Sequence, residues 1–347
     1  MDKTIIFAVA GSGKTTEIIN RITLEKRCLI ITYTNNNVSI LRNGIIKKFG
    51  YFPENIKLFS YFTFLYSFCF NPLCYKLLLS NKIKTKGINW KQPPDFTMKL
   101  KRNDFKFYLD GKNRLYYNRM ARLFEECKVL DKINSRIVKY FDCLYIDEIQ
   151  DFAGHDFDLL KTIAKTNCEI LFVGDFYQNT FKTSWDGNTN IGKNFENYNS
   201  YKNLFKQMGL QEDTTTLKKS RRCSKTICEF IKNNIGIDIE AFENRVSTIE
   251  IIDNQQKADE IINNNSIVKL FYDEHYKYDC TSQNWGKSKG NTYDDVCVVL
   301  NKTTKQKFDK NELKTLANQT KNKFYVACSR ARNNLYFLSY EFVSPKK

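Results

Sequence analysis

A glycine-rich turn at residues 10–16 has the composition and spacing of a phosphate-binding loop. It follows a short apolar run, residues 4–9, that predicts a buried parallel strand, and it leads into an amphipathic stretch that predicts a helix. Backbone N–H groups and the positive end of the helix dipole would therefore converge on one spot, which favours phosphate binding. Lys14 adds a positive charge for the β- and γ-phosphates, and the Thr15 hydroxyl is placed to ligate Mg²⁺.

The pattern GxxxxGK[ST] predicts a nucleoside triphosphate site at this turn, with Ala8 at the position of the first glycine. A chance glycine-rich turn is the alternative interpretation, and the Lys-Thr-Thr ending in this context favours the nucleotide site. The residues predicted to bind the nucleotide here are Ala10, Gly11, Ser12, Gly13, Lys14, Thr15 and Thr16.

Two adjacent carboxylates, Asp147 and Glu148, stand at the end of a second predicted strand, residues 142–147. In an open α/β sheet, ligands bind beyond the carboxyl ends of the strands, so these acids should face the phosphate-binding loop. Asp147 would then hold the Mg²⁺ shell, and Glu148 would orient and deprotonate the attacking water. The alternative is an acidic helix N-terminus, where the helix dipole favours negative charge.

Buried-strand patterns alternate with helical segments along the first half of the chain, which predicts an α/β fold with a parallel sheet. Further strands are expected at residues 28–34, 56–62 and 169–173, with a helix at 36–48. Residues 70–135 differ in character and suggest an insertion of loops and short helices. A second unit begins near residue 217, with strands expected near 247–252, 266–272, 295–300 and 334–340.

The net charge of +17 over 347 residues suggests a polyanionic partner, although a Lys- and Asn-rich composition can also reflect genomic base bias. Eleven cysteines without a CxxC pair, beside two histidines, indicate buried thiols and disfavour a zinc or iron–sulfur site. No run of 18 or more uncharged apolar residues occurs, so a soluble, cytoplasmic protein without a membrane partner is expected.

Several segments, in order along the chain, resemble the motifs of superfamily 1 helicases of the UvrD/Rep/PcrA type. Asp147-Glu-Ile-Gln-Asp151 resembles the DExQD motif, and AGSGKTT at residues 10–16 is similar to motif I. Residues 32–35 resemble motif Ia, and Thr63-Phe64 with Phe68 resembles the segment that follows motif Ia. Val173-Gly-Asp175 with Gln178 resembles motif III, and residues 217–223 resemble motif IV. Residues 287–290 with 292–293 resemble motif V, and residues 325–331 resemble motif VI.

The resemblance implies two RecA-like domains that clasp one ATP with Mg²⁺. It places domain 1 at residues 1–69 and 136–215, with a small, mostly helical accessory insertion at 70–135, and domain 2 at residues 216–347. The catalytic residues it implies are Lys14, Glu148, Gln178, Arg222 and Arg330. Arg222, Gly290 and Arg330 would add to the nucleotide contacts, while Thr15 and Asp147 would hold the metal. Arginines stabilise charge on a transferring phosphoryl group, whereas the alternative for both arginines is a surface salt bridge.

The resemblance also implies that single-stranded DNA crosses both domains. Thr34, Asn35 and Thr63 are candidates for phosphate contacts. The candidates for stacking on bases are Tyr33, Phe64, Phe181 and Trp185, with packing in the core as the alternative for each. A tailed duplex is a further expected substrate, and a nuclease or replication factor a possible protein partner.

Motifs IV and V lie about 65 residues apart, too close for the large accessory domain that bigger relatives carry between them. The insertion at 70–135 is therefore the remaining candidate for an accessory subdomain. Its basic residues could touch duplex DNA or form a solvated face. They are Lys99, Lys101, Arg102, Lys106, Arg114, Arg119 and Arg122. Only three residues precede the first strand, so the adenine-reading glutamine of the family has no counterpart, and selectivity for ATP stays open.

The resemblance thus predicts a DNA-dependent ATPase that couples hydrolysis to domain closure and moves along DNA as a helicase or translocase, in the 3′–5′ direction. The alternative is a nucleotide-switched module that binds DNA or recruits a partner without processive unwinding. Strand displacement on a tailed duplex separates the two.

Overall fold

The computed structural model describes residues 2–180 and 197–346, which form two compact units. The first unit contains residues 2–6, 15–173 and 197–213, and the second contains residues 7–14, 174–180 and 214–346. Within these described residues, no helix combines the length and apolarity that a membrane crossing requires.

A parallel sheet forms the centre of the first unit. Within the described residues its six strands are β1 (Lys3–Phe7), β2 (Cys28–Thr32), β3 (Ile56–Ser60), β6 (Cys143–Ile146), β7 (Glu169–Gly174) and β8 (Gln211–Asp213). The insertion contributes a separate pair, β4 (Ile88–Asn89) and β5 (Leu115–Tyr116). The order of strands in the six-stranded sheet is β3-β2-β6-β7-β1-β8. Every residue of β2 and β6 is buried, as expected for strands covered on both faces.

The helices of the first unit lie between its strands along the chain. They are α1 (Lys14–Arg21), α2 (Asn35–Phe49), α3 (Tyr75–Ser80), α4 (Met120–Glu126), α5 (Leu130–Tyr140), α6 (Gly154–Ile163) and α7 (Tyr198–Gln207), with shorter helical segments at Tyr61–Thr63, Phe64–Phe70 and Asn71–Leu73. Helix α2 has a cap at each end: the Thr34 side chain accepts from the Asn37 N–H, and Gly50 ends it at φ +82°. A left-handed C-terminal residue of this kind is usually glycine.

Arginines hold the insertion together. The Arg119 guanidinium is buried, lies 3.7 Å from the centre of the Phe107 ring and donates to the Phe107 carbonyl. Arg102 lies 4.0 Å from the centre of the same ring, and Arg114 forms a 2.7 Å ion pair with Asp110. Arg102, Arg114 and Arg119 thus make contacts within the insertion, and of the three only Arg119 is buried.

The second unit has its own parallel sheet, formed by β11 (Ile249–Ile252), β12 (Ile267–Phe271), β13 (Ser282–Asn284), β14 (Asp295–Leu300) and β15 (Leu335–Ser339). The order of these strands is β11-β15-β14-β12-β13. Two further strands, β9 (Lys219–Ser220) and β10 (Glu240–Ala241), pair with each other. Its helices are α8 (Lys225–Phe230), continued by a π-helical turn Ile231–Ile235, α9 (Gln255–Asn263), α10 (Lys302–Asp309) and α11 (Asn318–Cys328). The α/β fold with two parallel sheets confirms the predicted fold class.

Candidate functional site

The phosphate-binding loop folds back tightly between β1 and α1. Gly11 and Gly13 adopt φ +71° and +96°, a region that residues with a side chain enter only at a cost. The Ser12 N–H and hydroxyl both donate to the Val9 carbonyl, at 3.3 and 2.9 Å. Helix α1 then begins at Lys14, so the loop has the strand–turn–helix form that a phosphate cradle requires.

Arg222 packs directly on the loop. A Cβ atom added to Gly11 would lie 2.6 Å from the Arg222 Cβ and 2.9 Å from the Ser220 hydroxyl oxygen. The Gly11 carbonyl also accepts from the Arg221 N–H at 2.9 Å. The segment resembling motif IV and the loop therefore touch within one unit, and the contact leaves no room for a side chain at Gly11.

Arg330, the second predicted arginine, is buried near Arg222. Its guanidinium donates to the carbonyls of Val326 and Asn291 at 2.9 and 3.1 Å and to the Ser329 hydroxyl at 3.0 Å. Burial and the neighbouring charge of Arg222 lower the pKa of Arg330 to about 9. In the described part of the chain no carboxylate forms an ion pair with Arg330, so the surface salt bridge considered from the sequence does not hold for this residue.

A chain of hydrogen bonds joins Gln178 to the phosphate-binding loop. The Gln178 amide donates to Asp175 Oδ2 at 2.9 Å, and the Tyr325 hydroxyl donates to the same oxygen at 3.0 Å. The Ala10 N–H in turn donates to the Tyr325 oxygen at 2.9 Å. Burial, followed by the charge of Asp175, raises the pKa of Tyr325 well above its usual range, so the hydroxyl stays protonated.

Sequence reasoning did not assign roles to Asp175 and Tyr325, although both lie in segments that it singled out. Tyr325 is wholly buried, and a buried tyrosine hydroxyl needs a hydrogen-bond partner. The available signal was the apolar run at residues 324–328 around Tyr325, but the hydrogen-bond partner of Tyr325 could not be named from it.

In the first unit, Asp147 and Glu148 follow β6 at the carboxyl edge of the sheet, where β1 also ends. The Asp147 carboxylate is buried and accepts from the Glu148 N–H at 2.9 Å. Glu148 has φ +56°, an uncommon conformation for a residue with a side chain, and its carboxylate accepts from the Gln150 amide. Backbone strain of this kind is concentrated at functional sites. The acids lie ahead of a short 3₁₀ turn, Ile149–Asp151, and Glu148 makes no side-chain cap there.

The residues present fit a nucleotide with Mg²⁺. Gly11 and Gly13 keep the turn free of side chains at two positions, Arg222 packs on it at Gly11, and Lys14 and Thr15 open α1. Within the described residues, no three His, Cys, Asp or Glu side chains could hold a metal together. A magnesium ion would therefore use one or two protein oxygens, such as those of Thr15 and Asp147, with the phosphates as further ligands. Thr16 is exposed at the same helix start, and Gly290 is exposed at φ +88° next to Asn291.

The predicted nucleic-acid contacts separate into exposed and buried residues. Thr34, Asn35 and Thr63 are exposed, and Tyr33 is half-buried. Phe64 is fully buried and stacks on Phe68, with ring centres 5.4 Å apart. It therefore offers no face to a base, and core packing is the correct interpretation for this residue. Phe181 and Trp185 lie outside the described residues.

Comparisons with known proteins identify the family. The sequence model "Viral superfamily 1 RNA helicase core domain" matches residues 97–339, and a model described as "AAA domain" matches residues 2–183. No curated protein matches the sequence.

Solved structures share the fold. The crystal structure of Arterivirus nonstructural protein 10 (helicase) has a TM-score of 0.50 at 13% identity, over 96% of this chain and 59% of that one. The structure of the PRRSV helicase has a TM-score of 0.48 at 13% identity, over 97% of this chain and 52% of that one. The complex structure of Arterivirus nonstructural protein 10 (helicase) with DNA has a TM-score of 0.47 at 13% identity, over 96% of this chain and 60% of that one. The chain thus spans between half and three fifths of the length of these helicases.

Proposed function

Because the chain belongs to the viral superfamily 1 RNA helicase core family, we propose that it hydrolyses a nucleoside triphosphate and uses the hydrolysis to move along nucleic acid. The observation that carries the proposal is the hydrogen-bond chain from Gln178 through Asp175 and Tyr325 to the Ala10 N–H. It joins three of the helicase-like motifs at the loop that would bind the phosphates. A glycine-rich turn without this function would need no such connection.

Each residue has a distinct task in the proposed reaction. Lys14 and the loop N–H groups bind the phosphates, and the buried Asp147 carboxylate helps to hold Mg²⁺, which when bound neutralises charge on the phosphate oxygens. Glu148 accepts a proton from the attacking water. Arg222 and Arg330 donate to the oxygens on which charge develops during the transfer, and the low dielectric around Arg330 strengthens that interaction.

The finer assignments rest on the resemblance to UvrD-type helicases: ATP as the triphosphate, single-stranded DNA as the track, 3′–5′ movement, and the domain boundaries given above. Since the matching family is one of RNA helicases, RNA is the direct competitor as substrate. A nuclease or replication factor as partner and a cytoplasmic location remain predictions.

The decisive experiment measures triphosphate hydrolysis without nucleic acid and with single-stranded DNA, single-stranded RNA, and duplexes carrying 3′ or 5′ tails. Stimulation by a single strand together with displacement of one tailed strand supports the motor. Stimulation or nucleotide-dependent binding without displacement supports the nucleotide-switched module instead. A protein that shows no stimulated hydrolysis, no nucleotide-dependent binding and no strand displacement with any of these nucleic acids contradicts both.

Glu148→Gln tests the assignment of the base. A general base typically contributes at least about 100-fold to the rate, so hydrolysis should fall by that factor or more while nucleotide binding persists. Glu54→Gln is the matched control, because Glu54 is an exposed carboxylate of the same unit. Equal hydrolysis by both variants would remove Glu148 from the mechanism.

A further inference from the structure

Trp90 lies on the surface of the insertion with 61% of its area exposed, which is unusual for so large an apolar side chain. Its indole ring stacks on Tyr117 at an angle of 28°, with ring centres 6.0 Å apart. It also meets the Phe62 ring edge-on at 5.1 Å. Trp90 therefore packs on the rings of Tyr117 and Phe62, while the rest of its side chain is open to solvent.

The rings around Trp90 connect the insertion to the segment resembling motif Ia. Phe62 contacts the Tyr33 ring at 5.7 Å as well as Tyr117 at 5.5 Å. We call Tyr33, Phe62, Trp90 and Tyr117 the aromatic platform. Tyr33 directly precedes Thr34 and Asn35, whose exposed side chains are the predicted phosphate contacts. The platform thus continues a predicted nucleic-acid path onto the insertion.

Hydrogen bonds on either side of Trp90 fix its position. The Asn89 amide donates to Asp110 at 2.8 Å, and the Lys91 N–H donates to the Asn89 side-chain oxygen at 3.0 Å. The Gln92 amide donates to the Tyr117 hydroxyl at 2.7 Å. The ring is therefore held in place before any ligand arrives, which reduces the entropy cost of binding.

The charge around the platform matches a polyanion. Between residues 82 and 101 the only acidic residue is Asp95, whereas six lysines are exposed: Lys82, Lys84, Lys86, Lys91, Lys99 and Lys101. In the described part of the chain none of the six forms an ion pair, so their charges are not neutralised internally. An apolar protein partner would account for Trp90 but not for this excess of positive charge.

We propose that the aromatic platform binds an unpaired base of a single-stranded nucleic acid, which stacks on the open face of Trp90 while the surrounding lysines contact the phosphates. The proposal rests on the proposed function and adds to it a nucleic-acid contact at Trp90, a residue of the insertion that lies outside every helicase-like motif. Stacking on aromatic rings tolerates any base, and the phosphate contacts make the binding sensitive to salt.

The test compares wild type, Trp90→Ala, Trp90→Phe and Phe96→Ala in binding a fluorescein-labelled 20-mer of dT or rU, measured by anisotropy at two salt concentrations. Phe96 is the matched control, because it is 68% exposed in the same segment and has no ring contact with the four platform residues. Loss of one stacked base should weaken binding by about 5- to 100-fold in Trp90→Ala. Trp90→Phe should retain most of the affinity, and Phe96→Ala all of it. Hydrolysis measured without nucleic acid should be the same in all four proteins, which checks that they are folded.

Equal affinities of Trp90→Ala and wild type would overturn the platform while leaving the proposed function intact, provided that the wild type binds the oligonucleotide. Equal weakening by Trp90→Ala and Phe96→Ala would also overturn it, because the effect would then follow from exposed apolar area in general. Failure of the wild type to bind or respond to any single strand would overturn the proposed function and the platform together.

Discussion

Replacing Gly11 by alanine should destabilise the second unit, because the phosphate-binding loop there leaves no space for a methyl group. Two costs combine at this position. The φ angle of +71° is left-handed, where a residue with a Cβ atom loses about 1–2 kcal/mol. The added Cβ would also lie 2.6 Å from the Arg222 Cβ, an atom bound to the main chain that cannot swing aside.

Other glycines with positive φ serve as controls that separate the cost of the steric contact from the cost of the left-handed backbone. Inserting a methyl group into a closed contact typically costs about 1–3 kcal/mol, so Gly11→Ala should lose about 2–5 kcal/mol in all. Gly50 has φ +82° and nothing within 4 Å of an added Cβ, so Gly50→Ala should show only the backbone cost. Gly236, in the second unit at φ +77°, would meet the Lys314 side chain at 3.2 Å, which can move away.

Urea denaturation followed by circular dichroism, on all three variants and the wild type, measures these costs. We expect Gly11→Ala to be the least stable by about 1–3 kcal/mol relative to either control. Triphosphate hydrolysis should fall in the same variant, since Arg222 must shift to admit the methyl group. Equal midpoints for Gly11→Ala and Gly50→Ala would refute the close approach of Arg222 to the loop.

Two further predictions concern single interactions. Tyr325→Phe removes the hydroxyl between Ala10 and Asp175, so it should cost about 1–3 kcal/mol in denaturation and weaken nucleotide binding measured by calorimetry; unchanged affinity would separate the loop from this hydrogen-bond chain. Above pH 4, Asp142→Asn should lower the free energy of unfolding only slightly, because the hydrogen bonds between Asp142 and Arg27 lie at the surface. Those bonds lower the pKa of Asp142 from 3.8 to about 2, so the stabilisation is present above pH 4 and disappears as the pH falls towards 2. A difference between wild type and Asp142→Asn that persists at pH 2 would contradict this assignment.

The strands could be predicted from the sequence wherever they are covered on both faces. Residues 28–31 and 143–146 are continuous apolar runs, and the structure has β2 and β6 there. The edge strand β8, Gln211–Asp213, was not predicted, because its residues are polar and exposed or half-buried. Its pairing with β1 depends on where the chain returns to the sheet, which a local pattern does not contain.

The arginines of the insertion show a different limit. A run of Lys and Arg mixed with aromatic residues predicts either a nucleic-acid-binding surface or a solvated face, and composition alone does not distinguish the two. In the structure Arg119 is 2% exposed and packs on Phe107, whereas Lys99 and Lys101 are exposed. Guanidinium groups stack on aromatic rings more readily than ammonium groups, which explains why Arg119 is buried against Phe107 while these lysines stay exposed.

The hydrogen-bond chain at the candidate site was beyond prediction because its members are far apart in sequence. Ala10 and Tyr325 are separated by 315 residues, and Tyr325 and Asp175 by 150. A single carboxylate oxygen of Asp175 accepts from both Gln178 and Tyr325, and bonds to a charged acceptor are about twice as strong as neutral ones. Movement of Gln178 must therefore either carry Tyr325 with it or break one of these bonds. Since Tyr325 also accepts from the Ala10 N–H, independent movement of the glutamine and the phosphate-binding loop costs at least one of these hydrogen bonds.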